Sequence, residues 1–318
     1  MSSSSIGLDI GGANLKVTNG EKFEIIYFPM WKKWGKLDEQ LLKIREEYEP
    51  DKVGVVITAE LADSFNSKTE GITYISSIVE KVFSCNVFYL DVNGNVKREV
   101  DIPKLFSASN WVASAKFLLK SFKNFLFADM GSTTTDLIPV TTKIEAKKTD
   151  YERLKNGELL YFGILRTPVF YILPEFDSVP LASEYFSITG DAFILTGDIH
   201  ANDYNCETPD GRGKGKQDCL RRLAKTLCCD VEEIGESTIF ELAESVKEKM
   251  LSKTAKAMDR LSSKFNLDRV IGCGIGEFIL EKASERIGLK YISLREIYGE
   301  MSKIFPAYAM KKLVDELD

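Results

Sequence analysis

The stretch Ser5-Ile-Gly-Leu-Asp-Ile-Gly-Gly-Ala-Asn-Leu-Lys-Val17 decides how the rest of the chain is read. Ser5–Ile10 predicts a short apolar strand, and its single acid, Asp9, stands just before the strand stops at Gly11-Gly12. Leu15–Val17 predicts a return strand and Phe23–Phe28 a third, so the opening predicts a meander. The move recurs at Phe125-Leu-Phe-Ala-Asp-Met-Gly-Ser-Thr-Thr-Thr-Asp136. An apolar strand again delivers an aspartate to a glycine-bearing turn, and Asp136–Val140 reads as the return strand. Asp129 follows Asp9 by 120 residues (129 − 9), a spacing far beyond solenoid repeats, so it predicts duplicated domains.

Outward from these hairpins, the first half predicts a helix around Leu37–Tyr48 and a strand over Val53–Ile57. A helix carrying Ile72, Ile75, Val79 and Val82, a strand over Val87–Leu90, and a helix with Trp111, Ala115, Leu118 and Phe122 on one face complete it. Residues 141–227 are less regular and read as a functional insertion. Beyond them, Thr238 with Glu241 predicts a capping box for a long helix whose Ile239, Ala243, Val246, Met250, Ala257 and Leu261 share a face. A strand over Arg269–Ile271 leads into Gly272-Cys-Gly-Ile-Gly276, a helix follows from Glu277 to a stop at Gly288, and a terminal helix covers Ala307–Asp318. The expected architecture is α/β with two lobes, 1–123 and 124–318, the terminal helix being placed to pack back on the first.

Composition narrows the function classes. With 318 residues, 44% of them hydrophobic, the chain can build cores without disulfides. Forty-two basic against 48 acidic residues leave a net charge of −6, so no overall positive field draws nucleic acid or an anionic membrane. Six scattered cysteines and no apolar run near ~18 residues predict reduced thiols in a soluble, cytoplasmic protein. The sequence does not choose between monomer and homodimer.

A single Asp-x-Gly is most simply a tight turn. Two of them, each between strands, predict carboxylates and backbone amides arranged around a phosphorylated ligand, with the aspartates holding hydrated Mg²⁺. The motifs Asp9-Ile-Gly-Gly-Ala-Asn-Leu-Lys16 and Asp129-Met-Gly-Ser-Thr-Thr-Thr-Asp136 resemble the two phosphate motifs of the acetate/sugar kinase, Hsp70 and actin superfamily. Gly272-Cys-Gly-Ile-Gly276 sits where that superfamily has its adenosine motif, although Cys273 interrupts the usual adjacent glycines, which leaves ATP binding open. The resemblance implies duplicated ribonuclease-H-like lobes around an interlobe cleft, with Gly11, Gly12, Asn14, Gly131, Ser132, Thr133, Gly272, Gly274 and Gly276 as ligand-facing positions.

The middle segment narrows the resemblance. Tyr161-Phe-Gly-Ile-Leu-Arg-Thr-Pro168, Leu195-Thr-Gly-Asp198, Asp203-Tyr-Asn-Cys-Glu-Thr-Pro-Asp-Gly-Arg-Gly-Lys214 and Arg221-Arg-Leu-Ala-Lys225 resemble hydantoinase/oxoprolinase-related proteins of methanogen one-carbon metabolism. That resemblance implies transfer of an (aminomethyl)furanmethyl group from its diphosphate to the phenol of γ-glutamyltyramine, giving an aryl ether in methanofuran biosynthesis. An ATP-dependent kinase or ligase of the same superfamily is the alternative. Mg²⁺ on Asp9 and Asp129, with Lys16 and the turn amides, would stabilise the departing anion; Arg212 and Lys214 are candidates to close over it. A phenol of pKa near ~10 needs a base: His200, the sole histidine, Asp198 and Asp203 are the candidates. Arg166 is a candidate for the glutamyl carboxylate. His200, Cys206, Cys219 and Cys228 lack the paired spacing of a structural zinc site, so zinc is not expected.

Overall fold

The computed structural model describes residues 4–317. The opening meander forms as β1 (Ser5–Gly11), β2 (Asn14–Thr18) and β3 (Phe23–Tyr27). β4 (Lys52–Thr58), β5 (Asn86–Leu90) and β6 (Val96–Lys97) extend them into a sheet of order β3-β2-β1-β4-β5-β6. A second sheet holds β7 (Phe125–Met130), β8 (Thr135–Val140) and β9 (Leu159–Leu160). After a small hairpin of β10 (Glu175–Phe176) and β11 (Val179–Pro180), β12 (Arg269–Cys273) and β13 (Lys290–Ser293) complete it in the order β13-β12-β7-β8-β9.

The two sheets repeat one pairing scheme. β1 lies between β2 and a parallel β4, which pairs in parallel with β5; β7 lies between β8 and a parallel β12, which pairs in parallel with β13. Each Asp-x-Gly turn therefore leaves the carboxyl end of a strand with a parallel neighbour, where α/β sheets place their ligands. This is the duplicated ribonuclease-H-like topology. The strands are apolar along their length because both faces are covered: Phe125, Leu126, Phe127 and Ala128 have no exposed surface.

The chain divides into two compact units. One contains the residues up to Lys123, Val140–Lys155 and Leu294 onward; the other contains Asn124–Pro139 and Asn156–Ser293. The segment 141–227 is thus shared between units at 155/156. The terminal helix, Phe305–Asp315, lies on β1 and β4 in the first unit, at a pair of glycines in register, Gly7 and Gly54. A Cβ on Gly7 would stand 1.9 Å from the Ala307 carbonyl oxygen, and one on Gly54 2.7 Å from Val314. These glycines are what let the helix seat.

Two expectations for helices are corrected. The long helix spans Val231–Phe265 and opens at Asp230, whose N–H donates to Glu233; it is interrupted at Gly235 (φ 77°). The Asp230-x-x-Glu233 box, eight residues earlier, caps only the short segment before Gly235; the long helix resumes beyond that break, where the Thr238 hydroxyl donates to the Ile234 carbonyl (2.8 Å). The helix carrying Trp111 spans Asn110–Leu118 and stops before Phe122.

Candidate functional site

In the first unit, pairing places Lys16 opposite Asp9, so their side chains leave the same face of the sheet. The buried Asp9 carboxylate has Lys16 Nζ at 3.3 Å and the Thr58 hydroxyl at 3.4 Å. Thr58 escapes a motif search, because only the parallel register Gly11↔Thr58 brings it there. Behind the turn, Met30 N–H donates to the Gly12 carbonyl (2.8 Å) and Phe28 N–H to the Ala13 carbonyl (2.9 Å). With its carbonyls held from behind, the loop has its remaining amides for another partner. The Asn14 side-chain oxygen is buried and has no partner. A Cβ on Gly11 would approach the Asn14 carbonyl at 2.8 Å, whereas one on Gly12 would meet nothing within 4 Å. Internal packing explains Gly11; the open space at Gly12 is a cradle that a side chain would fill.

The second unit builds its turn the same way. Ile164 N–H donates to Gly131 O, and Leu165 and Arg166 N–H to Ser132 O, each at 3.0 Å. The segment approaches this closely because residue 163 is glycine: a Cβ there would stand 2.5 Å from Gly131 O. The same segment brings the Arg166 guanidinium to the Thr133 hydroxyl (3.2 Å), so Arg166 joins the Asp129 turn. One expected donor is lost, because Gly131 N–H is spent on Thr134 O (3.0 Å). The amides of Ser132 and Thr133 donate no backbone bond outside the strands among the described residues.

The glycine run after β12 is accounted for within its unit. A Cβ on Gly272 would strike the Tyr291 hydroxyl at 2.0 Å and one on Gly276 would strike Met130 at 2.4 Å; Gly274 has φ 98° and would meet Asp129 Oδ1 at 2.6 Å. Gly274 and Gly276 let the loop close on the Asp129 turn, where Gly276 N–H donates to Met130 O (2.9 Å). No nucleotide is needed to explain them.

His200 is exposed, and its N–H donates to Asp203 Oδ2 (3.2 Å) while Asp203 N–H donates to His200 O (2.9 Å), so the two close a turn of their own. Asp198 is held by Lys247 at 2.6 Å. The loop bearing Arg212 and Lys214 is pinned rather than free. Arg222, fully buried, bonds Asp191 through Nε (2.9 Å) and Nη2 (2.7 Å), and reaches Asp210 and the Gly213 carbonyl, each at 3.0 Å. Lys214 Nζ donates to the Tyr204 carbonyl, and Arg212 is exposed. The sequence reading missed Asp191 and Arg222, whose 31-residue separation leaves no local signal. Burial pushes the Cys206 thiol up to about 11 and the Cys219 thiol up to about 12.

A family model described as hydantoinase/oxoprolinase matches residues 51–312. The chain belongs to the hydantoinase/oxoprolinase family. Among the relatives of this hydantoinase/oxoprolinase member is a Methanocaldococcus jannaschii protein, 40% identical over 98% of this chain and 97% of its own length. That relative is named (4-{4-[2-(gamma-L-glutamylamino)ethyl]phenoxymethyl}furan-2-yl)methanamine synthase. A Methanococcus vannielii protein of the same name is 36% identical over 60% of this chain and 91% of its own length. Of solved structures, a ROK family glucokinase from Streptomyces griseus, in complex with glucose and AMPPNP, superposes with a TM-score of 0.51. It covers 97% of this chain and 98% of its own at 12% identity, a likeness of fold alone.

Proposed function

We propose that this protein condenses [5-(aminomethyl)furan-3-yl]methyl diphosphate with γ-glutamyltyramine, forming the aryl ether and releasing diphosphate, as a cytoplasmic step of methanofuran biosynthesis. The observation that carries the reading is the full-length relation to a synthase named for that ether. Each unit supports it with a turn fit for an anion: carbonyls tied behind, amides left over, a cation alongside. Each turn is proposed, on its own chemistry, as a binder of phosphate oxygens.

Cleavage of the furanmethyl carbon–oxygen bond places positive charge on an electron-rich ring and negative charge on the leaving group, so anion stabilisation lowers the barrier most. Lys16, Arg166 and the amides of Gly12, Ala13, Ser132 and Thr133 are the donors for that charge. Among the described residues, no three His, Cys, Asp or Glu side chains converge to cage an ion. Single aspartates suit Mg²⁺, which keeps its waters and takes phosphate oxygens as ligands. Asp9 and Asp129, each within its own unit, are carboxylates that would hold such an ion, and it would supply further charge neutralisation at the diphosphate.

The names of the relatives favour this reading over the kinase alternative. The test is a product assay with purified protein and Mg²⁺. Ether and diphosphate should appear in equal amounts when donor and acceptor are both present, without ATP; strict dependence on ATP would overturn the reading.

A further inference from the structure

A polar cluster in the first unit is absorbed by none of the above. Glu60 lies two residues beyond Thr58, on the sheet edge that carries the Asp9 turn, and is 2% exposed. The Ser107 hydroxyl donates to Glu60 Oε1, while Oε2 is buried without a partner. Lys68 Nζ lies 3.9 Å from Oε1, 3.2 Å from the Ser107 hydroxyl and 3.3 Å from Asp150. Asp150 in turn meets the buried Arg153 guanidinium (3.5 Å), which stacks over the Trp111 ring (4.7 Å). Trp111 Nε1 and the Ser109 hydroxyl are also buried without partners. Between Ser107 and Ser109, Ala108 holds a left-handed backbone (φ 49°), which a residue with a Cβ adopts at a cost. Three orphaned polar atoms and a strained residue on one chain of contacts mark a site that awaits a polar ligand.

We propose that Glu60 is the general base that takes the proton from the acceptor phenol, an assignment that rests on the ether-forming reading above. As the phenolic O–H proton passes to Glu60 Oε2, the oxygen lone pair forms the bond to the furanmethyl carbon. The bond from that carbon to diphosphate breaks, and its electrons leave with the diphosphate; Glu60 later returns the proton to water. Ser107 fixes Oε1 and leaves the buried Oε2 as the oxygen offered to the acceptor. Lys68, one-third exposed, is the outer member through which the acceptor reaches it. Burial, with Asp150 nearby, raises the carboxyl's proton affinity against the opposing pull of Ser107 and Lys68. A base raised in this way deprotonates a phenol better than an ordinary carboxylate.

Glu60→Gln keeps the shape and the Ser107 contact. With wild-type protein making ether in the same assay, this variant should lose about 10²–10⁴ in kcat with little change in KM for either substrate or in melting temperature. Its rate should no longer fall as pH drops through the Glu60 titration. The deciding arm uses a ring-nitrated acceptor, whose phenol is ionised without help: it should restore the Glu60→Gln rate to within tenfold of wild type. Full activity of Glu60→Gln on the ordinary acceptor, or equal losses on both acceptors, would overturn the assignment. Should the variant unfold, Ser107→Ala takes its place and must show the same dependence on acceptor acidity. An inactive wild type would instead overturn the function reading.

Discussion

Glycine 12 and glycine 274 look alike in the sequence and differ in kind. Gly12 has open space around it, so Gly12→Ala should leave the melting temperature unchanged, as surface substitutions do within about 0.5 kcal/mol. It should nevertheless lower kcat/KM for the diphosphate donor at least tenfold (~1.4 kcal/mol), because the methyl group occupies the approach to the turn amides. Gly274→Ala should do the reverse first, destabilising the fold through its positive φ and its contact with Asp129. Steady-state kinetics beside thermal melts separates the two. Asp9, Asp129 and the glycines were legible because a strand, an acid and a turn are local patterns. Thr58 was not, since parallel register alone carries it to Asp9, and the Arg166 contact with Thr133 of the Asp129 turn is non-local in the same way.

Among the elements, the terminal helix shows how a long-range contact hides in small residues. Gly7 and Gly54 read as unremarkable strand glycines, yet the helix Phe305–Asp315 rests on them. Gly7→Ala should cost about 3 kcal/mol or more, read as a lowered denaturation midpoint, because the added methyl group meets a backbone carbonyl that cannot rotate away. The strands and most helices were legible from apolar runs and 3.6-residue spacing. The short segment from Val231 was missed because the Gly235 break separates it from the long helix, and residues 140–155 meet the first unit through long-range ion pairs such as Lys68–Asp150 that no window contains. The 203–214 loop belongs to the same class. Removing Arg222 would strand the buried Asp191, so Arg222→Met should cost about 3–5 kcal/mol and expose the loop to limited proteolysis.

For the molecule as a whole, duplication was legible from two hairpins 120 residues apart, and the repeated pairing scheme of the sheets realises it. The terminal helix's return to the first unit was read; that Val140–Lys155 also belongs there was not. The proposed function draws on the acidic turn of each unit. Calorimetric titration of the whole protein with inorganic diphosphate and Mg²⁺ addresses that claim directly. The account predicts that diphosphate binds, with affinity lowered in Asp9→Asn and in Asp129→Asn. Wild-type affinity in either variant would contradict it.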